Sequence, residues 1–241
     1  MLTITDDTWS ALATVLGVDR AVLRAVADVE SGGAGFLATT PPRPKVLFEG
    51  HYFHKLTGGR FGTSHPTLSF PRWTRTHYAR TGEGEWARLD QAVGLDRGAA
   101  LQSASWGAFQ IMGANYRQCS CDDVEQFVRM QEASAEAQLE CFTRFIGRDW
   151  YLAPLRARDW ATFAARYNGP AYAKNQYDVK LARAYARHAP PQARSLGGRR
   201  PPPRPPEKHR RPPGRPLIVM WSESIERRWR SRGTSPASTN R

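Results

Sequence analysis

The chain has 241 residues, 40% hydrophobic and 11% aromatic, which excludes a wholly disordered polymer and leaves room for one medium core plus an appendage. Its formal charge of +13 is uneven, because residues 192–241 hold 13 Lys/Arg against 3 Asp/Glu and the remainder is only mildly basic. No stretch approaches the ~18 apolar residues of a membrane-spanning helix. Three cysteines (Cys119, Cys121, Cys141) are too few, and odd in number, for a disulfide framework.

In chain order, Thr5-Asp6-Asp7-Thr8 starts a helix whose apolar face is Trp9, Leu12, Ala13, Val15 and Leu16, ending at Gly17. Asp19 caps a second helix with Val22, Leu23, Val26 and Val29 on its core face. That helix runs up to Glu30 and stops at Ser31, Gly32 and Gly33, so one acid stands on a last helical turn beside flexible backbone. Thr39–Lys45 is a Pro-broken loop, and Val46-Leu47-Phe48 is a short apolar run that delivers Glu49 to an aromatic HYFHKL segment. Residues 57–72, rich in Gly, Thr, Ser and Pro, read as an irregular lobe with room for short strands.

Trp86–Leu95 is a predicted helix, and Asp96 caps another through Leu101. Further helices are predicted from Asp122/Asp123, from Ser134 (face Leu139, Phe142, Ile146), over Asp159–Tyr167 and over Lys174–His188. The expected fold is mostly α, about eight helices with a small irregular or β lobe. Residues 1–190 form the folded domain. Residues 191–241, which include GGRRPPPRPPEKHRRPPGRP, form a basic low-complexity tail expected to be disordered, extended and solvated.

A negative charge at a helix C-terminus is mildly unfavourable, so Glu30 is a local misfit. Burial there would keep it protonated, as a general acid requires. Glu49 is either a structural carboxylate pairing with a base or the second of the two acids that glycoside hydrolysis uses. Glu49-x-His51-x-x-His54 departs from the HExxH zinc pattern and has no third ligand, and Cys119-Ser-Cys121 is too sparse, so no metal and no cofactor are expected. There is no serine-elbow, P-loop or dinucleotide fingerprint. Ser105, Gly107 and Gln110 form an S-x-G-x-x-Q pattern that offers close approach and an amide, and Tyr167-Asn168-Gly169 offers a ring, an amide and a left-handed turn.

Taken in this order, ESGG, S-x-G-x-x-Q and YNG resemble the lysozyme-like superfamily of goose-type lysozymes and lytic transglycosylases. VESGGAGF, KVLFEGHYFHKLTGGRF, SASWGAFQIMGANY and FAARYNGPAY…NQYDVKLARAY are similar to the phage and prophage endolysin N-acetylmuramidases, over about Thr8 to His188. The resemblance implies a lysozyme-like domain that lyses bacterial walls by cleaving the β-1,4 bond between N-acetylmuramic acid and N-acetylglucosamine. It places the catalytic acid on Glu30, a second carboxylate on Glu49, and glycan-holding positions on Ser105, Gln110, Tyr167 and Asn168. The segment Gln118-Cys-Ser-Cys-Asp122 departs from relatives with a Gly-containing turn there.

Two other functions are weighed. A lytic transglycosylase would use the same acid but give 1,6-anhydromuramyl products. A non-catalytic glycan- or nucleic-acid-binding protein would rely on the basic tail, but the body has no recognisable nucleic-acid module, and no nucleic-acid partner is expected. Met1–Asp7 carries acids rather than a basic leader, so synthesis in the host cytoplasm without a signal peptide is expected. The resemblance implies peptidoglycan glycan strands as the partner, reached in the periplasm through a holin-type membrane lesion. The tail offers a contact to anionic lipopolysaccharide, and the protein is expected to be a monomer.

Overall fold

The computed structural model describes residues 4–31, 35–169 and 172–190. Gly32, Gly33, Pro170 and the basic tail over 191–241 lie outside the described residues. Helix α1 (Asp6–Leu16) starts where Thr5 accepts a hydrogen bond from the Thr8 amide and ends on left-handed Gly17. Trp9, Ala13 and Leu16 face the core as expected. Val15, counted on that face, is instead 76% exposed. It lies one residue off the i, i+3, i+4, i+7 stripe that Trp9, Leu12, Ala13 and Leu16 already fill.

Helix α2 (Arg20–Ser31) begins where the Asp19 carboxylate accepts from the Ala21 amide at 2.9 Å. Strand β1 (Val46–Phe48) leads into α3 (Gly50–Leu56), so HYFHKL is helical. Thr81 caps α4 (Gly82–Leu95), and Asp96 caps α5 (Arg97–Gln102). Strands β2 (Ala104–Trp106) and β3 (Ile111–Met112) precede a 3-10 helix at Gly113–Cys119. Asp123 and Ser134 cap α6 (Val124–Ala133) and α7 (Ala135–Ile146), each accepting from the amide three residues on. The body closes with α8 (Asp149–Ala157), α9 (Trp160–Tyr167) and α10 (Tyr177–His188).

Ten α-helices are thus present among the described residues, against about eight expected. α3 and α8 account for the difference: one is a short aromatic turn and the other carries Pro154 inside it. The strands also lie elsewhere than expected. Residues 57–72 form turns, and the antiparallel sheet runs β1-β2-β3, pairing Leu47 with Ser105 and Ser105 with Met112.

That register sorts the sheet into two faces, since alternate residues point to opposite sides. Val46, Phe48, Ala104, Trp106 and Ile111 join the main core, with α4 Trp86 meeting Trp106 edge-on at 5.6 Å. Leu47 and Met112 instead form a small second cluster with the half-buried Tyr52 and Tyr78. Glu49 follows two residues after Leu47.

The free edge of β1 is covered by two charged side chains of α4. The Phe48 amide donates to Glu85 Oε2 at 3.1 Å, and Arg88 donates to the Phe48 carbonyl at 3.2 Å. Glu85 and Arg88 pair at 2.9 Å, and Glu85 Oε1 takes the Ala79 amide at 2.5 Å. A buried pair anchored this way satisfies backbone groups that water cannot reach.

Removing Glu85 strips β1 and the residue-79 loop of partners and leaves Arg88 buried without its counter-charge. Glu85→Ala is expected to cost about 3–5 kcal/mol in urea unfolding. Val15→Ser, on exposed α1 surface, is expected to stay within about 0.5 kcal/mol.

Candidate active site

Glu30 sits one residue before the end of α2, with α10 packed along the same helix. It is fully buried, and Asn168 Nδ2 donates to its Oε1 at 3.2 Å and approaches Oε2 at 3.5 Å. Burial pushes its pKa from the ordinary carboxylate value up to about 8, and the Asn168 hydrogen bond and the Lys180 charge only partly oppose this. Near neutral pH the group holds its proton. The expected misfit at the helix end is therefore a fully desolvated acid.

Asn168 caps α9, its amide donating to the Ala164 carbonyl, and Gly169 follows at φ 84°. That left-handed turn is the one anticipated for Tyr-Asn-Gly, and glycine adopts it without the Cβ clash other residues meet. Asn168 is itself buried, and its Oδ1 has no hydrogen-bond partner. Tyr167 lies deeper, its ring packed against Phe142, Phe145, Tyr151 and Phe163 with centroids 5.4 to 6.0 Å away. Its hydroxyl donates to the Phe109 carbonyl at 3.3 Å. Burial, then the nearby Glu30 charge, raises the Tyr167 pKa. Tyr167 is thus a wall behind Glu30, joined to the sheet through Phe109.

Phe109 belongs to the turn 107–110 between β2 and β3. Ser105 Oγ donates to Gln110 Oε1 at 2.9 Å, and Gln110 Nε2 donates to the Gly107 carbonyl at 2.9 Å. The two residues of the S-x-G-x-x-Q pattern therefore bind each other and fix the turn, with Ser105 fully buried and Gln110 at φ 47°. Gly107 has φ 70°, and a Cβ there would stand 2.5 Å from Gln131 Oε1, so only glycine fits. Its amide donates to the Lys45 carbonyl at 2.8 Å, and the Lys45 amide donates to the Gly35 carbonyl at 2.8 Å. The turn thus ties the chain that follows Glu30 to the start of β1.

Glu49 is buried at the end of β1, its amide held by the Ser103 carbonyl at 2.9 Å. Tyr78 donates its hydroxyl to Glu49 Oε2 at 2.7 Å, and His51 Nδ1 lies 3.2 Å from the same oxygen. Oε1 has no partner. The structure therefore assembles Glu30, Asn168 and Tyr167 in one group, Ser105 and Gln110 in a second, and Glu49 in a third, with the 107–110 turn joining the first two.

Sequence reasoning missed several supports. Tyr78 has no motif around it. Gln138 is fully buried and takes the Ala108 amide at 2.8 Å while donating to the Gln131 carbonyl at 2.7 Å. Two polar residues seven apart on the buried faces of α6 and α7 were the available signal. In place of a metal, His51 faces Glu49 at 3.2 Å and His54 turns to Ser69 Oγ at 3.1 Å. Among the described residues no three His, Cys, Asp or Glu side chains are arranged to hold a metal ion, and no helix is long and apolar enough to cross a membrane.

Comparison with known proteins bears on this geometry. The N-acetylmuramidase family matches residues 19–189, spanning every site residue named above. The crystal structure of Burkholderia AP3 phage endolysin is similar to this chain at 42% identity and a TM-score of 0.70, covering 77% of this chain and 71% of that one. A search of curated proteins gave no match. The chain belongs to the N-acetylmuramidase family, with the lysozyme-like fold of a phage endolysin, and is a glycoside hydrolase of peptidoglycan that cleaves between N-acetylmuramic acid and N-acetylglucosamine.

Proposed function

We propose that Glu30 is the general acid of this hydrolase. The observation that carries the reading is a carboxyl group fully buried, held by one amide and protonated near neutral pH. It would donate its proton to the glycosidic oxygen as positive charge develops on the sugar. Asn168 keeps the acid in place through Nδ2, and its unpartnered Oδ1 is available to a sugar N–H or hydroxyl. Tyr167 holds the α9 end against the sheet. Ser105 and Gln110 set the floor of the site by fixing the turn, and one lone pair of Gln110 Oε1 remains for the glycan.

Glu49 is the second carboxylate in this reading. Its Oε2 is anchored by Tyr78, which leaves Oε1 to orient a water and take its proton as the water attacks the anomeric carbon. Water attack gives a reducing-end muramic acid. No metal or organic cofactor enters these steps.

Residues 1–190 form the catalytic domain and 191–241 a separate basic tail, a reading supported by the family match ending at 189. The tail's 13 Lys/Arg suit contact with anionic lipopolysaccharide or wall polymers. In the setting of an endolysin, a monomer made in the cytoplasm would reach the periplasmic wall through a holin-type lesion.

Glu30→Gln is expected to lower hydrolysis of outer-membrane-stripped Gram-negative cells by about 10²–10⁴-fold. Mass spectrometry of the wild-type products should show reducing-end muramic acid. Wild-type turbidity loss in the variant would remove Glu30 from the role, and 1,6-anhydro products would replace water attack by internal attack. The wild-type rate should also fall through an alkaline limb centred near pH 8, as the acid loses its proton.

Stability carries the same signature. Glu30 binds its proton more tightly folded than unfolded, so its contribution to stability declines as pH rises from about 4.5 to about 8. Glu30→Gln removes the titration, and its Tm relative to wild type should rise between pH 5 and pH 8. A constant difference would mean an ordinary carboxyl. Deleting residues 197–241 is expected to leave hydrolysis of purified wall largely intact. Loss of that activity would make the tail part of the enzyme.

A further inference from the structure

The register of the sheet brings a second buried polar group to Glu49. Strands β1 and β2 pair Val46 with Trp106, Leu47 with Ser105 and Phe48 with Ala104. The same register continues one step past both strands, because the Glu49 amide donates to the Ser103 carbonyl at 2.9 Å. Glu49 and Ser103 therefore stand opposite one another, on the sheet face that carries Leu47 and Ser105. The Cβ atoms of residues opposed in this way are roughly 4.5–5.5 Å apart. Ser103 is fully buried and Glu49 is 1% exposed. Ser103 Oγ and Glu49 Oε1 are both without a hydrogen-bond partner.

The serine has a local alternative that it does not take. Ser103 ends α5, its amide donating to the Ala99 and Ala100 carbonyls. A hydroxyl at a helix end can bond back to a carbonyl three or four residues behind it. Thr57 does so at the matching end of α3, donating to the Phe53 carbonyl at 2.7 Å, and Thr143 donates to the Leu139 carbonyl within α7 at 2.8 Å. Ser105, two residues on, spends its hydroxyl on Gln110 at 2.9 Å. Ser103 makes no such bond. A buried hydroxyl left unpaired costs free energy, and here it faces a carboxylate anchored through its other oxygen by Tyr78.

We propose that Ser103 is the second holder of the attacking water, which it shares with Glu49 Oε1. The proposal rests on the reading that Glu49 serves that water. A water molecule suits two facing acceptors, because it has two O–H groups to donate and needs two or more polar partners when enclosed. One O–H goes to Glu49 Oε1 and the other to Ser103 Oγ, which leaves a lone pair for the anomeric carbon. As the new C–O bond forms, the proton on the Glu49 side passes to Oε1. The glycosidic bond breaks, and its oxygen leaves with the proton of Glu30. Ser103 gains and loses no net proton. Its part is direction: two acceptors fix the orientation of a water that one would leave free to rotate.

The test uses the full-length chain and a soluble, uncrosslinked tetrasaccharide of alternating N-acetylglucosamine and N-acetylmuramic acid. Ser103→Ala should lower kcat about tenfold with KM near wild type. Its Tm should equal or exceed that of wild type, because the substitution removes a buried hydroxyl that no protein group satisfies. Glu49→Gln should lower kcat about 10²-fold or more, and adding Ser103→Ala to it should cost less than about twofold further, since both residues act on one water. A wild-type kcat in Ser103→Ala beside a slow Glu49→Gln would overturn the proposal and leave the Glu49 reading standing. So would a full tenfold loss on top of Glu49→Gln, which would mean that the two residues act independently. A slow Ser103→Ala with a Tm several degrees below wild type would return the serine to the scaffold. A wild-type kcat in Glu49→Gln marks the different failure, that of the Glu49 reading itself, and the shared water falls with it.

Discussion

The site depends on keeping one carboxyl away from water at the end of α2. An ionised carboxylate in that position would carry a heavy desolvation penalty and would face the negative end of a helix dipole. The fold answers by leaving the group protonated and giving it a single amide partner, Asn168 Nδ2 at 3.2 Å. The rest of the body makes that arrangement dry. α10 lies along α2, and the aromatic cluster of Phe142, Phe145, Tyr151, Phe163 and Tyr167 backs the end of α9 from which Asn168 projects.

The second requirement is that the sheet keep its place against this helical body, and the 107–110 turn supplies it. On one side Tyr167 reaches the Phe109 carbonyl and Gln138 reaches the Ala108 amide. On the other, the Gly107 amide joins Lys45 and hence β1. Phe109 stacks on Phe142 at 4.2 Å, so the turn is also plugged into the core. β1 in turn is clamped by Glu85 and Arg88 from α4. Positions that look like ligand contacts in the sequence, Ser105 and Gln110, spend most of their hydrogen bonds on this joint. A turn built this way is held rigid, so in the proposed reading it would cost little to order on binding the glycan.

Local rules carried most of the helical body in the sequence. Thr5, Asp96, Asp123, Ser134 and Asp159 all cap the helices that their positions implied. Glu30 was legible because a lone acid at the end of an apolar-periodic helix contradicts its surroundings. Three features were not legible, each for a physical reason. Three-residue strands leave no periodicity to detect, so the β1-β2-β3 sheet was invisible until its partners were known. Val15 read as core because adjacent apolar residues blur the stripe, and tertiary packing alone decides which is buried. The partners of Glu49 come from 2 and 29 residues away, and no local pattern predicts that Tyr78 folds back on it.

Folded proteins rarely leave buried polar atoms unpaired, because each costs roughly 1–3 kcal/mol. Among the described residues six buried side-chain atoms have no partner, and two of them, Asn168 Oδ1 and Glu49 Oε1, belong to the residues that flank the proposed chemistry. In each case the other polar atom of the same group is firmly held, by Glu30 for Asn168 and by Tyr78 for Glu49. One atom anchored and its neighbour unspent is the pattern of a group fixed in direction and reserved for a ligand. A purely structural carboxylate would be expected to use both oxygens, as Glu85 does with Phe48, Ala79 and Arg88. The contrast between Glu85 and Glu49, two buried acids on adjoining elements, supports the proposal that one serves the scaffold and the other the glycan.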